Sequence, residues 1–443
     1  MGVPALALAT LYVACANPPK KAKPNNGGAG TAGAAIGEAG ANDSGGTSGT
    51  AGTGGKSGTG GTSGTGGTSG GPVAEGGMAG EGGAPQALGG EGGTGAAGGK
   101  GGAPPIDVCS TLTIGKSKLP LPTTTGVAKP AGALGDLKVL NWAGFKGAIS
   151  YTFDDNLQSQ ISHYPELNAV GVPVTFYIVG SSNGANAVWT QAAKDGHELG
   201  NHTMHHCNNN SSTPNCSWGS FIGTDAEIDQ CTTNLKSAFG VPDVYTMAAP
   251  FGDTNWAIPA SQRFIINRGV ADDAVAPNGP TSPFNIPCHV ANEGETAADL
   301  PGSPVVKGFN SITDDVRAKG TWRTILAHNI DPAINDGGYH PIKLTEILAA
   351  MTYTKGLGDV WADTVVSVGA YWLGQKALFN VQPVTVGTDK VYSWTLPAHF
   401  PPGHYLRITV TGGTVKQCGT ELSWDPHGYY EINLDAGSVT ISP

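Results

Sequence analysis

The sequence predicts an α/β fold whose mostly parallel sheet is either open or closed into a barrel. Short apolar runs alternate with amphipathic segments between residues 147 and 376, and period-two runs replace the helices after residue 377. A glycine-rich tract precedes both parts. Because strands that alternate with helices usually pair in parallel, we expect an α/β domain over residues 106–376 and a small β-rich region over residues 377–443.

Six short runs, most of them apolar, predict buried strands, at residues 148–153, 174–179, 198–201, 244–249, 324–327 and 365–368. Two stretches between them predict helices, at residues 225–239 and 344–351. In the first of these, Ile228, Cys231 and Leu235 recur at helical spacing on one face. This alternation of element types is the basis for the expected parallel sheet.

Residues 17–105 predict a disordered tether. About half of the chain's 69 glycines lie before residue 106, and the tract has almost no large apolar side chain. Without apolar burial, nothing offsets the backbone entropy that ordering would cost. Repeated GTGGKS and GTGGTS hexapeptides are typical of flexible linkers. We expect deletion of this tract to leave turnover unchanged.

Residues 1–16 resemble a bacterial lipoprotein signal. The apolar stretch that begins at Ala5 ends in small residues and Cys15, and it is too short to span a bilayer. No lysine or arginine precedes it, and Tyr12 stands where such signals usually have an aliphatic residue. We expect export to the outer surface, the periplasm or the extracellular space, with membrane attachment through a lipidated Cys15 as a further expectation.

The cysteines beyond Cys15 suit an oxidising compartment. There are six of them: Cys109, Cys207, Cys216, Cys231, Cys288 and Cys418. The spacing of the second, third and fourth is not a CxxC metal pattern. Their even number allows up to three disulfides outside the cytosol, and buried free thiols are the alternative.

The charge of the chain argues against nucleic acid and anionic membranes as partners. The net charge is −10, and residues 1–105 contribute none of it, since they carry five lysines and five acidic residues. The folded part is therefore acidic and offers no basic stripe. A neutral or N-acetylated glycan is compatible with such a surface.

Two neighbouring carboxylates, Asp154 and Asp155, end the first expected strand. The carboxyl ends of parallel strands carry the functional face of α/β folds. Adjacent carboxylates repel each other unless a cation separates their roles, so one can bind a metal while the other acts as a base. A turn or a helix cap would also explain the pair on its own.

A histidine cluster follows the expected strand at residues 198–201. His202 and His206 are four residues apart, so a helical turn or a tight loop can bring both imidazoles to one side. Two imidazoles and one carboxylate are a common ligand set for a catalytic divalent metal. His205 and His206 are interchangeable on spacing alone.

The combination of TFDD at residues 152–155 and HTMHH at residues 202–206 resembles the polysaccharide deacetylase family. This family is also called the NodB-homology family, or carbohydrate esterase family four. The resemblance covers about residues 146–371. It implies a distorted (β/α) barrel and a hydrolase that removes N- or O-acetyl groups from a polysaccharide and releases acetate.

The resemblance also implies roles for the two motifs. Asp154 would be the general base. One divalent metal would be bound by Asp155, His202 and His206, with zinc expected first and cobalt, nickel or manganese as alternatives. The substrate would be a chitin oligomer, peptidoglycan, acetylxylan or poly-N-acetylglucosamine.

Further matches to the family lie downstream. His328 follows Leu326 in a Leu-x-His motif, which implies a general acid at His328 and a substrate-side contact at Leu326. Asp272 or Asp273 would be the carboxylate that supports this histidine.

The family's third motif, normally Arg-x-Pro-Tyr, departs from the pattern here. Alanine stands at the arginine position, Ala248, whereas Pro250 and Phe251 match. The resemblance implies that the Phe251 backbone N–H binds the oxyanion and that Pro250 lies on the substrate side. Because that arginine orients the base, Asp154 needs another cation, and Arg268 at a further strand end is similar to an alternative position.

Two other functions stay open at this stage. The missing motif arginine is compatible with a catalytically inactive, glycan-binding relative of the deacetylases. A hydrolase of small amides with the same broad fold is the second alternative, and the expected export signal argues against it.

Overall fold

The computed structural model describes residues 108–182, 186–210, 212–302, 307–331 and 339–443. The predicted signal with Cys15 and the predicted tether therefore lie outside the described residues. Among the helices of these ranges, none has the length and apolar character needed to cross a membrane.

The strands of the described residues are, in chain order, β1 (Lys138–Val139), β2 (Ala148–Asp154), β3 (Thr175–Ile178), β4 (Glu198–Asn201), β5 (Thr246–Ala248), β6 (Ile266–Arg268), β7 (Cys288–Val290), β8 (Trp322–Ala327), β9 (Ile330–Asp331), β10 (Ile342–Lys343), β11 (Trp361–Ala362), β12 (Val384–Val386), β13 (Asp389–Ser393), β14 (Tyr405–Thr409), β15 (Thr414–Gln417), β16 (Thr420–Glu421), β17 (Tyr430–Asn433) and β18 (Ser438–Ser442). The helices are α1 (Gln158–Ser162), α2 (Tyr164–Ala169), α3 (Ala187–Lys194), α4 (Thr224–Phe239), α5 (Ala257–Ser261), α6 (Phe309–Lys319), α7 (Leu344–Leu357) and α8 (Val365–Leu378).

Seven parallel strands form a nearly closed barrel. Their order is β6-β5-β4-β3-β2-β8-β7, and the short strand β11 pairs with β2. A parallel bridge between Arg268, at the end of β6, and Ile286, just before β7, joins the two edges. The carboxyl ends of all seven strands therefore meet at one mouth. The expected distorted (β/α) barrel is confirmed.

Side-chain alternation along β2 decides which residues face the inside of the barrel. Ile149, Tyr151 and Phe153 join the outer apolar core that the surrounding helices cover. Successive side chains of a strand point to opposite faces, so Asp154 faces the interior. The same alternation turns Ser150 inward, where its hydroxyl accepts a hydrogen bond from the Trp322 indole at 3.1 Å.

The prediction of a strand at residues 365–368 is wrong, because this run forms the first turn of α8. Thr364 caps the helix, and its side-chain oxygen accepts a hydrogen bond from the Ser367 N–H at 3.2 Å. The Glu198 carboxylate accepts another from the Val366 N–H at 2.9 Å. These acceptors satisfy N–H groups that a helix start leaves open. The helix is apolar on most sides because it lies between the barrel and the C-terminal strands.

Antiparallel strands make up the C-terminal part, in a three-stranded sheet β1-β14-β17 and a five-stranded sheet β12-β13-β18-β15-β16. The buried Arg407 of β14 ties this part to the segment before the barrel. Its guanidinium pairs with Glu431 at 3.0 Å and donates to the carbonyls of Leu119, Pro120 and Ala143. The domain boundary near residue 376 stays a prediction, and β1 and α8 both pack against the strands beyond it.

Two disulfides form among the described residues, Cys109–Cys418 and Cys207–Cys216. Cys231 and Cys288 are buried free thiols. The two expected states of these six cysteines, disulfide-bonded and buried as free thiols, therefore both occur.

Removing the Cys109–Cys418 disulfide is expected to lower thermal stability and to leave turnover at 25 °C unchanged. This bond joins residues 309 positions apart. Losing such a cross-link costs about 2–5 kcal/mol, largely through the unfolded state. Calorimetric melting of the double variant Cys109→Ser/Cys418→Ser, alongside its kcat, checks this. An unchanged melting temperature, or a folded variant with a much lower kcat, would contradict it.

Candidate active site

The end of β2 holds Asp154 and Asp155 at the barrel mouth in an unusual turn. Asp155 and Asn156 both have left-handed backbones, with φ of 74° and 43°. Such conformations cost free energy in residues other than glycine and occur often at functional sites. The Asn156 side chain stabilises the turn, since it accepts from the Val179 N–H at 2.8 Å and donates to the Ser182 hydroxyl at 2.7 Å.

His202 and His206 follow β4, and each has one ring nitrogen already engaged. His202 Nδ1 donates to the Ala248 carbonyl at 2.9 Å, and His206 Nδ1 pairs with the Ser217 hydroxyl at 2.9 Å. The Nε2 atom of each ring lies 3.5 Å from Asp155 Oδ1. A hydrogen bond at one nitrogen that fixes the ring and frees the other nitrogen is the usual arrangement of a metal-binding histidine.

The ligand atoms of Asp155, His202 and His206 lie within 4.8 Å of one another. All three residues are buried, and Asp155 Oδ1 has no hydrogen-bond partner among the described residues. Burial, together with the nearby His202, lowers the pKa of His206 to about 3, so its imidazole is neutral at pH 7. One carboxylate and two imidazoles fit a divalent metal with an open coordination position.

His205 points away from this cluster, which decides between the two neighbouring histidines. Its Nδ1 lies 2.9 Å from Glu227 Oε1, and its backbone N–H donates to Glu227 Oε2 at 2.8 Å. Glu227 is fully buried in the first turn of α4. The sequence analysis did not predict a role for this glutamate. Glu227 lies three residues after Thr224, as in an ordinary helix start, and that pattern does not indicate a histidine partner.

Arg268 reaches Asp154 from a neighbouring strand. Its Nη2 contacts Asp154 Oδ2, and both side chains are almost fully buried. In the parallel register of β5 and β6, Arg268 pairs with Ala248, the position where the family motif has its arginine. The guanidinium therefore arrives from the adjacent strand at the same level of the barrel. The ring of Tyr177 lies 5.4 Å from the guanidinium and packs against it.

His328 follows β8, the strand that pairs with β2 on the side opposite to β3. It is 8% exposed, and its ring lies 5.3 Å from the ring of Tyr339. Gln160 ties this strand end to β2, because its amide donates to the carbonyls of Asp154 at 2.5 Å and His328 at 2.9 Å. Sequence reasoning also missed Gln160.

The expected carboxylate partner of His328 needs correction. Asp272 contacts the Arg323 guanidinium and lies 3.4 Å from His289 Nδ1. Arg323 belongs to the outward-facing set of β8, two residues from the core residue Ile325, so Asp272 lies outside the barrel. Asp273 accepts a hydrogen bond from the next backbone N–H. Among the described residues, His328 Nδ1 has no hydrogen-bond partner.

A family model described as polysaccharide deacetylase matches residues 144–264. The matched segment confirms the resemblance to the polysaccharide deacetylase family that the sequence motifs predicted. This resemblance supports a hydrolase that acts on acetyl amides or esters. The matched segment includes Asp154, Asp155 and both cluster histidines, and it ends before Arg268.

Several solved structures are similar to this chain. They include the Xyl-CE4 domain of a multidomain xylanase from the hindgut metagenome of Trinervitermes trinervoides (18% identity, 50% of this chain and 89% of that chain, TM-score 0.31). A family 4 carbohydrate esterase from Streptomyces lividans in complex with acetate is also similar (16% identity, 51% of this chain and 95% of that chain, TM-score 0.32). So is a peptidoglycan deacetylase from Bacillus subtilis (17% identity, 50% of this chain and 89% of that chain, TM-score 0.29). No curated protein sequence matches the chain. Likenesses of this size do not indicate a substrate.

The remaining predicted site residues also lie near the mouth. Phe251 has a left-handed backbone, with φ of 57°, and its ring centroid lies 4.5 Å from that of His206. Pro250 is buried beside it. Leu326 of β8 is 1% exposed and faces the barrel interior, two residues before His328. Their contacts with substrate stay predictions.

Arg268→Lys is expected to lower kcat roughly tenfold, equivalent to about 1.4 kcal/mol, while metal content stays unchanged. A planar guanidinium fixes a carboxylate better than a flexible ammonium group does. The lost contact orients Asp154 and does not hold the ion. Steady-state kinetics and metal analysis of the same preparation measure both effects, and Arg263→Lys, a surface arginine paired with Asp229, is a matched control. A variant with normal kcat, or one that loses its metal, would contradict this role.

Proposed function

We propose that this chain is a metal-dependent deacetylase that removes acetyl groups from an N- or O-acetylated polysaccharide and releases acetate. One observation supports this most strongly. The three-residue ligand set, the Asp154 carboxylate and the His328 imidazole meet at the mouth of the barrel, although they come from three different strand ends. Such convergence is typical of catalytic sites in barrel folds.

The proposed metal is one divalent ion bound by Asp155, His202 and His206. Zinc suits two imidazoles and a carboxylate, and cobalt, nickel and manganese are alternatives. When bound, such an ion acidifies water and polarises a carbonyl. The neutral imidazole of His206 and the Asp155 oxygen without a hydrogen-bond partner support this assignment.

The proposed roles of the other residues follow from their positions. Asp154, whose carboxylate Arg268 holds in place, takes a proton from the attacking water. The backbone N–H of Phe251 donates a hydrogen bond to the oxyanion that develops on the acetyl carbonyl. His328 gives a proton to the sugar nitrogen or oxygen as its bond to the acetyl carbon breaks. The products are acetate and a free amine or hydroxyl.

An acetate-release screen tests the function. The protein is stripped of metal with a chelator, reloaded separately with zinc, cobalt, nickel or manganese, and given chitin oligomers, peptidoglycan, acetylxylan or poly-N-acetylglucosamine. We expect release from at least one polymer, lost on chelation and restored by one of the metals. No release from any of the four under any metal would refute the proposal.

One observation favours a second function, a catalytically inactive glycan-binding relative. Ala248 replaces the motif arginine, and an inactive protein would need no cation at that place. The contact of Arg268 with Asp154 argues against this alternative, because it supplies the missing charge. Glycan binding without metal-dependent acetate release in the same screen would favour it.

We further propose that the protein is exported. Disulfides persist outside the cytosol, and the two among the described residues support that location. Lipid attachment through Cys15 is part of the proposal, and mass spectrometry of the mature N-terminus tests it. A mature chain without a lipid on that cysteine would refute the attachment and leave the export proposal standing.

A further inference from the structure

Two exposed aromatic rings flank the same cluster histidine. The described residues include three exposed aromatic side chains: Trp218, Phe251 and Phe379. The ring centroids of Trp218 and Phe251 lie 5.2 Å and 4.5 Å from that of His206, and each side chain is 36% exposed. Single exposed apolar residues need no explanation, but two that lie against the same histidine of this cluster indicate a binding surface.

Trp218 is fixed to the segment that carries His206. Its backbone N–H donates to the His205 carbonyl at 3.2 Å. The preceding residue, Ser217, donates its N–H to the His206 carbonyl at 3.1 Å and pairs with the His206 ring through its hydroxyl. The disulfide partner Cys216 immediately precedes these contacts. The backbone that carries the indole is therefore held in place before any ligand arrives, which reduces the entropy lost on binding.

An apolar edge continues past the two rings to Val270. This side chain is 40% exposed and packs against Gly252, where an added Cβ would lie 2.2 Å from Val270 Cγ2. Trp218, Phe251 and Val270 follow β4, β5 and β6 in turn. The exposed apolar side chains thus come from three successive strand ends along one side of the mouth.

We propose that Trp218 and Phe251 form an aromatic platform that stacks on a pyranose ring of the polysaccharide, beside the acetyl group that is removed. The inference rests on the proposed function and names the residues that select a sugar ring over a simple acetyl ester. A pyranose face presents C–H groups to an aromatic ring and carries no charge, so the acidic chain does not repel it. Val270 extends the apolar surface along the glycan.

Kinetics on two kinds of substrate test the platform. Chitin hexamer and acetylated xylan oligomers present sugar rings, whereas 4-nitrophenyl acetate has none. For Trp218→Ala we expect KM for the active oligomer to rise about tenfold, with kcat within about twofold, in keeping with the loss of one aromatic contact. Turnover of the aryl ester and metal content should stay unchanged. Trp218→Phe should bring KM most of the way back to the parent value. Phe379→Ala should have the same KM and kcat as the parent.

The outcomes separate this inference from the function on which it rests. If the parent releases acetate from an oligomer and Trp218→Ala keeps the parent KM with its metal bound, the platform is refuted and the function stands. If the parent releases no acetate from either oligomer or from the other polymers of the screen, the proposed function fails. Calorimetric titration of both oligomers then decides the platform, because tighter binding by the parent than by Trp218→Ala supports it. Equal binding, or none by the parent, overturns it.

Discussion

Replacing Asp155 or His202 with alanine is expected to give a folded protein that loses its metal on dialysis and no longer turns over acetylated substrate. Each residue supplies one of three ligand atoms within 4.8 Å of one another. A Lewis-acid metal stabilises the transition state by several kcal/mol, so its loss lowers the rate by about a thousandfold or more. Elemental analysis after dialysis, together with acetate release from the active polymer, measures both effects.

The neighbouring histidine offers a matched control for the metal site. His205→Ala removes an imidazole from the same loop, but that ring pairs with Glu227. We expect this variant to keep its metal. Stoichiometric metal in both Asp155→Ala and His202→Ala would show that the ion binds elsewhere. Metal loss in His205→Ala with normal metal in His206→Ala would show that the wrong histidine of the pair was assigned.

Asp154→Asn is expected to lower kcat by about 10²- to 10⁴-fold, the usual contribution of a general base, while metal remains bound. The amide keeps the shape of the carboxylate and cannot take a proton from water. Single-turnover kinetics and metal analysis check this result. A kcat within tenfold of the parent would mean that another group is the base.

The same substitution should also destabilise the fold, and a double variant separates this effect from catalysis. Asp154→Asn leaves the buried Arg268 guanidinium without its counter-charge, and an unpaired buried charge costs about 3–5 kcal/mol. Asp154→Asn/Arg268→Met removes both charges, so its melting temperature should recover part of the loss. Its activity should stay as low as that of Asp154→Asn, because the base is still missing. Recovery of activity without a base would contradict the assignment.

Much of the barrel could be predicted from local patterns. The runs that became β2, β3, β5 and β8 are short and apolar, and the stretch that became α4 repeats its apolar residues at helical spacing. Such signals depend on neighbouring residues alone. The prediction of a strand at residues 365–368 was wrong for the same reason, since β-branched residues favour strands locally. Its burial between two layers and the Thr364 and Glu198 acceptors made it a helix.

From the sequence, the second histidine of the proposed metal site could be narrowed only to His205 or His206. Their spacing from His202 is compatible with either, and the partner of each ring comes from elsewhere in the chain. Glu227 binds His205, whereas Ser217 pairs with His206. Hydrogen-bond partners this far apart in sequence are chosen by packing, so no local pattern could have separated the two.

By itself, the sequence determined which chemical groups this protein has and where they stand on its strands: a carboxylate pair, spaced histidines and a late Leu-x-His motif, each at a strand end. The tertiary structure decided which of them meet. The parallel register of β5 and β6 sets Arg268 beside Ala248 and so beside Asp154, and alternation along β8 turns Arg323 and its partner Asp272 to the outside. The physical reason is that register and facing depend on how distant strands pair, and local sequence does not specify that pairing.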